Sequence, residues 1–403
     1  MTVYHIDKVA RDLYVLRFDD LSTKYFEGLW EIPEGITYNS YVLTLPDKVV
    51  LFDGWKRDYA EEFLEALKRI IDINDIDIIV VHHTEPDHTG SLTVLLSKMN
   101  KQPMIYGHPM ARSMLSSFYG LNNIKFVPTR DKMEIDLGDE RLLFVHTPWL
   151  HWPETIVTLL KERGVLLTCD VFGSYSIPRK LFDTELSEDE IRKYLIYARK
   201  YMVTVIGSYR SHVIPAIKKL DELGIKPSII APAHGLIWKQ NLDIIINAYE
   251  DFAQSKYDEH KVTIIYTSMY GFVEEIIDTI KNSLEKHGLT IKTHRFTDKE
   301  RPMISEILTD VDTSKAVIIG ISNYEASIHP RIESVLNILI KKIKARKPTL
   351  IITVYGWGDA AKALVKKKLE NTSLSPINAI SVKAGSKLQQ NIIEEFLGKI
   401  ISA

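Results

Sequence analysis

Apolar residues in the first 250 positions fall mostly into short β-rich runs: Leu13 to Arg17, Ser40 to Leu45, Val49 to Asp53, Ile76 to Val81, Leu142 to His146, Ile156 to Leu160 and Val165 to Cys169. Helical periodicity intervenes at Tyr59 to Ile71, Leu92 to Met99, Glu188 to Met202 and Ser211 to Leu223. This mixture predicts a layered, largely antiparallel α/β domain. Asn241 to Gln254 then reads as a helix leading into the polar stretch Ser255 to His260, a candidate linker. Beyond it the pattern becomes a strict alternation. Strands at Val262 to Tyr266, Thr290 to Phe296, Ala316 to Ile321, Thr349 to Val354 and Ile377 to Val382 are separated by helices at Glu274 to Lys286, Met303 to Thr309, Ile332 to Lys344 and Ala360 to Leu369, with a last helix at Lys387 to Leu397. Five strands so connected predict a doubly wound parallel sheet. The expected division is therefore a domain of residues 1–255 and one of residues 256–403.

Composition narrows the function classes. Among 403 residues, 45% are apolar and 26% charged, ordinary for a globular chain of two or three domains. A net charge of -2 offers no basic excess for nucleic acid or anionic lipid, so neither is an expected partner. The N-terminal Met1-Thr2-Val3-Tyr4-His5 lacks the features of a signal peptide, and no apolar run reaches the roughly 18 residues of a membrane span. A cytoplasmic protein is expected. The single cysteine, Cys169, excludes intrachain disulfides, a four-cysteine iron centre and thiolate-ligated iron–sulfur clusters within one chain. Any iron must be held by nitrogen and oxygen, and Cys169 itself reads as a small core residue.

The chemistry concentrates where the strand Ile76 to Val81 ends. His83, Glu85, Asp87 and His88 fall within six residues, a clustering of acids and imidazoles that a multivalent cation would stabilise against desolvation and carboxylate repulsion. Three further candidates follow apolar stretches and enter loops: His151 in Leu150-His151-Trp152-Pro153-Glu154, Asp170 after Cys169, and His234 in Pro232-Ala233-His234-Gly235. The intervals are 64 residues from Asp87 to His151, 19 to Asp170 and 64 to His234. Loops at one rim of a layered sheet can converge despite such spacing.

In this order, His-any-Glu-any-Asp-His, then His-Trp-Pro, then Asp, then Pro-Ala-His-Gly, the chain resembles the metallo-β-lactamase-like domain of flavodiiron proteins. Tyr38-Asn39-Ser40-Tyr41 resembles an early segment of the same domain. The resemblance implies an αββα sandwich in which His83, Glu85 and His151 bind one iron, Asp87 and His234 the other, and Asp170 bridges both. His88 joins the ligands at a position whose coordination varies in that family. Hydrolytic members of the superfamily generally carry His where this chain has Glu85. A mainly histidine set suits zinc, whereas a carboxylate adds negative charge and favours higher metal oxidation states. His82 and His146 neighbour these residues in sequence and read as hydrogen-bonded core or loop residues, with orientation of the ligands as the alternative.

A second constellation lies in the last 150 residues. Strand Val262 to Tyr266 runs through Ser268-Met269-Tyr270-Gly271-Phe272-Val273 into a helix, where backbone amides and hydroxyls suit a phosphate. Ser322-Asn323-Tyr324 follows the third strand and Tyr355-Gly356-Trp357-Gly358-Asp359 the fourth, flanking the point where a 2-1-3-4-5 sheet opens its crevice. Tyr324 and Trp357 suit the faces or edge of a planar ring. The segment resembles the flavodoxin-like domain of flavodiiron proteins, which implies FMN. Val273 departs from the hydroxyl residue frequent in such loops and predicts the loss of one phosphate hydrogen bond, about 0.5 to 1.5 kcal/mol.

Together these resemblances imply an oxidoreductase that passes electrons through FMN to two iron ions, which reduce dioxygen to water or nitric oxide to nitrous oxide. They further imply a head-to-tail homodimer. With one cysteine and no further segment after the second domain, an external donor is expected, rubredoxin or a reduced deazaflavin. Two other readings compete: a zinc hydrolase of the lactamase-like superfamily with a fused flavodoxin domain, against which Glu85 counts, and an FMN electron carrier without metal catalysis, against which the complete ligand set counts. Glu27 in Tyr25 to Trp30 is an approximate counterpart of a pocket residue in relatives and is assigned no catalytic role.

Overall fold

The computed structural model describes residues 4–401, so Met1 to Val3 of the stretch read for a leader lie outside the described residues. The chain falls into two compact units, one ending at Ala253 and the other starting at Gln254.

The first unit is built on two sheets. One has seven strands in the order Tyr4–Ala10, Leu13–Asp20, Ile36–Thr44, Val49–Phe52, Ile76–Val81, Met104–Gly107 and Lys125–Pro128. The other has five, Met133–Asp136, Arg141–His146, Ile156–Leu160, Val165–Cys169 and Ile229–Pro232. Their facing sides form one buried cluster, with Val15, Tyr41, Phe52 and Val80 from the first sheet against Phe144, Leu160, Leu167 and Ala231 from the second. Alternating apolar positions drive this packing.

The expectation of a largely antiparallel domain holds for only half of the larger sheet. Its first three pairings are antiparallel and its last three parallel. From Val49 to Gly107 each strand is followed by a helix, Ala60–Lys68, Pro86–Lys98 or Pro109–Tyr119, and such a crossover returns the chain parallel to itself. Met104–Gly107 and Lys125–Pro128 have four residues each, too few to show a period in sequence.

The helix expected from Leu92 begins six residues earlier, at Pro86. Proline suits the first helical position, where its missing N–H has no helical partner to lose. His88, Thr89 and Ser91 are buried on this helix, so polar residues occupy positions where an apolar stripe would have announced it. The second half of the metal motif, from Pro86, is therefore helical.

In the second unit five parallel strands, Thr290–Phe296, Asp258–Thr267, Ser314–Ser322, Thr349–Tyr355 and Pro376–Lys383, lie in that spatial order, the 2-1-3-4-5 arrangement expected. Helix Phe272–Lys286 closes tightly on the sheet at Gly320. A Cβ there would sit 2.8 Å from the Tyr266 Cβ and 3.1 Å from Val273 Cγ1, so only glycine admits this approach. Among the described residues no helix is long and apolar enough to cross a membrane.

Candidate functional site

Strand ends deliver the metal-ligating candidates. Ile76–Val81 leads to His83 and Glu85, and the first turn of Pro86–Lys98 carries Asp87 and His88. Asp170 directly follows Val165–Cys169, His234 comes two residues after Ile229–Pro232, and His151 occupies the loop before Ile156–Leu160. All are buried except Glu85, which is half-buried.

The seven side chains form two nests that share Asp170. His83 and His151 bring their Nε2 atoms to 3.3 and 2.9 Å from Glu85 Oε2, and each lies 3.8 Å from Asp170 Oδ2. On the other side, His88 and His234 Nε2 lie 3.2 and 3.3 Å from Asp170 Oδ1. They are 3.5 and 3.6 Å from the two oxygens of Asp87. Asp170 thus divides its oxygens between the nests, and His88 stands with Asp87 and His234.

The donor set fits a pair of cations. Among the described residues, both Asp87 oxygens and His234 Nε2 are buried with no hydrogen-bond partner, although His234 Nε2 lies 3.3 Å from Asp170 Oδ1. Each such orphan costs about 1 to 3 kcal/mol, which a bound cation would recover. Electrostatics agree. Burial favours neutral groups throughout, yet the imidazoles of His88 and His234 hold the Asp170 carboxyl well below its usual range. Against the same burial, His151 and His83 keep Glu85 low, Glu154 and Glu85 lift His83, and Asp87 and Asp170 push His88 up to about 9. Asp87 alone moves the other way, raised by burial and by the neighbouring Glu85 and Asp170 charges. Protons on these rings compete for the places where metal would bind.

Three supporting groups escaped the sequence reading. Glu154 Oε1 accepts from His83 Nδ1 at 2.8 Å and from the Thr84 N–H and hydroxyl at 3.0 and 2.5 Å. Outweighing burial, these partners push its carboxyl down to about 2. An acid three residues after His151 was its only signal. Thr37 supplies a backbone carbonyl to His234 Nδ1 at 2.7 Å, which no side-chain pattern reveals. Both contacts require Nδ1–H and leave Nε2 facing the nests. Tyr201 donates its hydroxyl to Asp170 Oδ1 at 2.8 Å from the end of helix Glu188–Tyr201, where the chain widens into the π-helical turn Met202–Ile206.

Other residues have structural tasks. His82 is pinned by Asp53 through its N–H at 2.8 Å and Nδ1 at 2.6 Å, and its Nε2 meets the Thr158 hydroxyl at 2.8 Å. This locks the strand end just before the ligands. His146 sits with Thr129 and His108, and Glu27 accepts from the Trp30 indole at 2.8 Å. Cys169 is buried and its thiol is pushed well up by that burial.

In the second unit a cleft of about 670 Å³ opens at the carboxyl ends of its strands. Its walls include Met269, Tyr270, Phe272, Val273, Ser322, Asn323, Tyr324, Tyr355, Gly356, Trp357, Gly358 and Asp359. Ser268 and Gly271 lie off the wall and shape it, the Ser268 hydroxyl accepting from the Gly271 N–H at 3.1 Å. Gly271, with φ 88°, precedes helix Phe272–Lys286 without a side-chain cap, so no side chain at that position claims the amides of the first turn. That is the cradle a phosphate needs. Tyr270 and Trp357 are largely exposed at the rim, available to a planar ring. Val273 is buried in the core, so the apolar side chain there serves packing against Gly320.

Asn323 and Asp359 brace two of the loops. Asn323 Nδ2 donates to Asp359 Oδ1 at 2.9 Å, and its Oδ1 accepts from the Ala361 N–H at 2.9 Å. Asp359 Oδ2 also accepts from the hydroxyls of Thr353 and Ser381. Asn323→Ala leaves the Ala361 amide unpaired, at about 1 to 3 kcal/mol. If half of that falls on the ligand-competent loop, FMN affinity drops roughly two- to tenfold. Titration of FMN fluorescence measures it, and unchanged affinity would show that the brace does not govern the cleft.

A sequence family described as ODP family beta lactamase matches residues 36–235. A flavo di-iron protein from Thermotoga maritima, solved as several variants, superposes with a TM-score of 0.92 at 39% identity, covering 100% of this chain and 99% of that one. The rubredoxin oxygen:oxidoreductase of Desulfovibrio gigas shares the fold, with a TM-score of 0.89 at 23% identity over 98% of this chain and 97% of its own. Among curated proteins, an anaerobic nitric oxide reductase flavorubredoxin of Vibrio vulnificus is 28% identical over 90% of this chain and 72% of its own length.

Proposed function

The chain belongs to the flavodiiron protein family, and from that premise we propose that it is an oxidoreductase passing electrons from an external donor through FMN to a non-haem diiron site that reduces dioxygen, nitric oxide or both. The observation that carries this reading is the pair of nests sharing Asp170, with Glu85 and Asp87 adding a carboxylate to each. We assign His83, Glu85 and His151 to one iron, Asp87, His88 and His234 to the other, and Asp170 to both. Bound there, FMN would supply two electrons that can leave singly, and a metal pair held by these residues would supply the site where a diatomic gas is reduced.

The chain's own residues provide orientation and charge control. The Glu154 carboxylate and the Thr37 carbonyl aim two imidazoles, Asp53 and His82 anchor the strand end, and Tyr201 steadies the shared carboxylate. Burial around the nests keeps bulk water away from the reacting gas. In the cleft, the amide-rich turn after Gly271 would hold the phosphate and the aromatic rim would hold the ring.

A head-to-tail homodimer is supported by charge. Up to Ala253 there are 29 Lys and Arg against 36 Asp and Glu, and from Gln254 onward 22 against 17. Head-to-tail pairing sets the acidic unit of one copy against the basic unit of the other. The single buried thiol suits a reducing, cytoplasmic setting. Rubredoxin or a reduced deazaflavin is the proposed donor, since one cysteine cannot build a four-cysteine iron centre in this chain.

The test is direct. Protein loaded with FMN and iron, reduced anaerobically and then mixed with dioxygen or nitric oxide, should reoxidise its flavin rapidly with at least one gas. Persistence of reduced flavin with both gases would defeat the proposal.

A further inference from the structure

Resting on the two-metal reading, we infer that Glu154 is a positioning residue that makes the two metal nests unequal, strengthening the hold of His83, Glu85 and His151 on their ion. The three hydrogen bonds of Glu154 all end on one oxygen, Oε1. Its other oxygen, Oε2, is buried with no hydrogen-bond partner among the described residues. A full carboxylate charge is thus confined behind His83, shared only with Thr84.

The second nest has no equivalent behind His234. There the ring nitrogen that faces away from the nest donates to the neutral carbonyl of Thr37 at 2.7 Å. A carboxylate acceptor draws the Nδ1 proton more strongly than a carbonyl and leaves Nε2 the better electron donor. The His83 nest therefore binds its metal with more negative charge behind its ligands and favours the higher oxidation state there. The iron ion on the His88 side is the more easily reduced and the more easily lost.

Two variants with opposite expected signs test this. Glu154→Gln keeps the size of the side chain and removes its charge. In anaerobic competition with a ferrous chelator, one of the two irons should be lost about 10- to 100-fold more readily than in wild type, the other unchanged. The midpoint potential of the diiron centre, followed by spectroscopic redox titration, should rise. Thr84→Val removes the hydroxyl that competes for Glu154 Oε1, returning charge to His83. It should retain iron more tightly and lower the potential.

Displacements of the same sign in both variants would overturn the inference, as would Glu154→Gln protein that keeps both irons and its potential. If Glu154→Gln does not fold, Thr84→Val decides by its sign. Wild-type protein that binds no pair of irons refutes the two-metal reading itself, before either variant is compared.

Discussion

Asp170→Ala is expected to abolish reduction of either gas and to take bound metal from two ions per chain towards none. Asp170 is the one side chain common to both nests, with Oδ2 facing His83 and His151 and Oδ1 facing His88 and His234. Its loss leaves four inward-facing imidazoles with only Glu85 and Asp87 to offset the charge of two cations. Removing one partner from a buried charged set costs about 3 to 5 kcal/mol. At tenfold per 1.4 kcal/mol, this weakens metal binding by roughly two to four orders of magnitude. Asp170→Asn keeps the shape and the acceptor for the Tyr201 hydroxyl, so it should retain more metal than the alanine variant. Metal analysis beside gas consumption checks both. An alanine variant carrying two irons would show that the nests are independent and that Asp170 does not bridge.

Gly235→Ala is expected to lower the stability of the first unit by about 2 to 5 kcal/mol and to displace His234. Gly235 has φ 84°, in the left-handed region where an L side chain costs about 1 to 2 kcal/mol. A Cβ there would also meet the Tyr194 hydroxyl at 2.1 Å. That hydroxyl accepts from the Leu236 N–H at 2.9 Å, and the Tyr194 ring packs edge-on against Trp238. Making room therefore breaks a buried hydrogen bond and disturbs an aromatic pair, overpacking of a kind that costs about 1 to 3 kcal/mol more. Thermal unfolding of the first unit and metal retention should fall together. Wild-type stability would mean that Tyr194 can swing aside freely.

Much of this protein is legible along the chain. The alternation after Gln254 exposed the parallel sheet because its three inner strands each carry a continuous apolar run. The candidate ligands stood out because acids and imidazoles cluster directly after apolar runs. The first unit was harder, because function overwrites periodicity there. Helix Pro86–Lys98 buries Asp87, His88, Thr89 and Ser91, so its first two turns look polar. The parallel half of the large sheet was hidden because Met104–Gly107 and Lys125–Pro128, the two of its strands that the sequence pattern missed, are short, with four residues each.

By itself, the sequence determined which residues stand as candidate ligands, the strand ends on which they stand and the class of chemistry they suit, because these depend on local residue identity and strand-end position. Only the tertiary structure decided which residue meets which. His88 joins Asp87 and His234, Asp170 divides its oxygens, and Glu154, Thr37 and Tyr201 take their places behind the ligands. These contacts join residues as many as 197 positions apart, brought together by the packing of two sheets, and no local pattern encodes them.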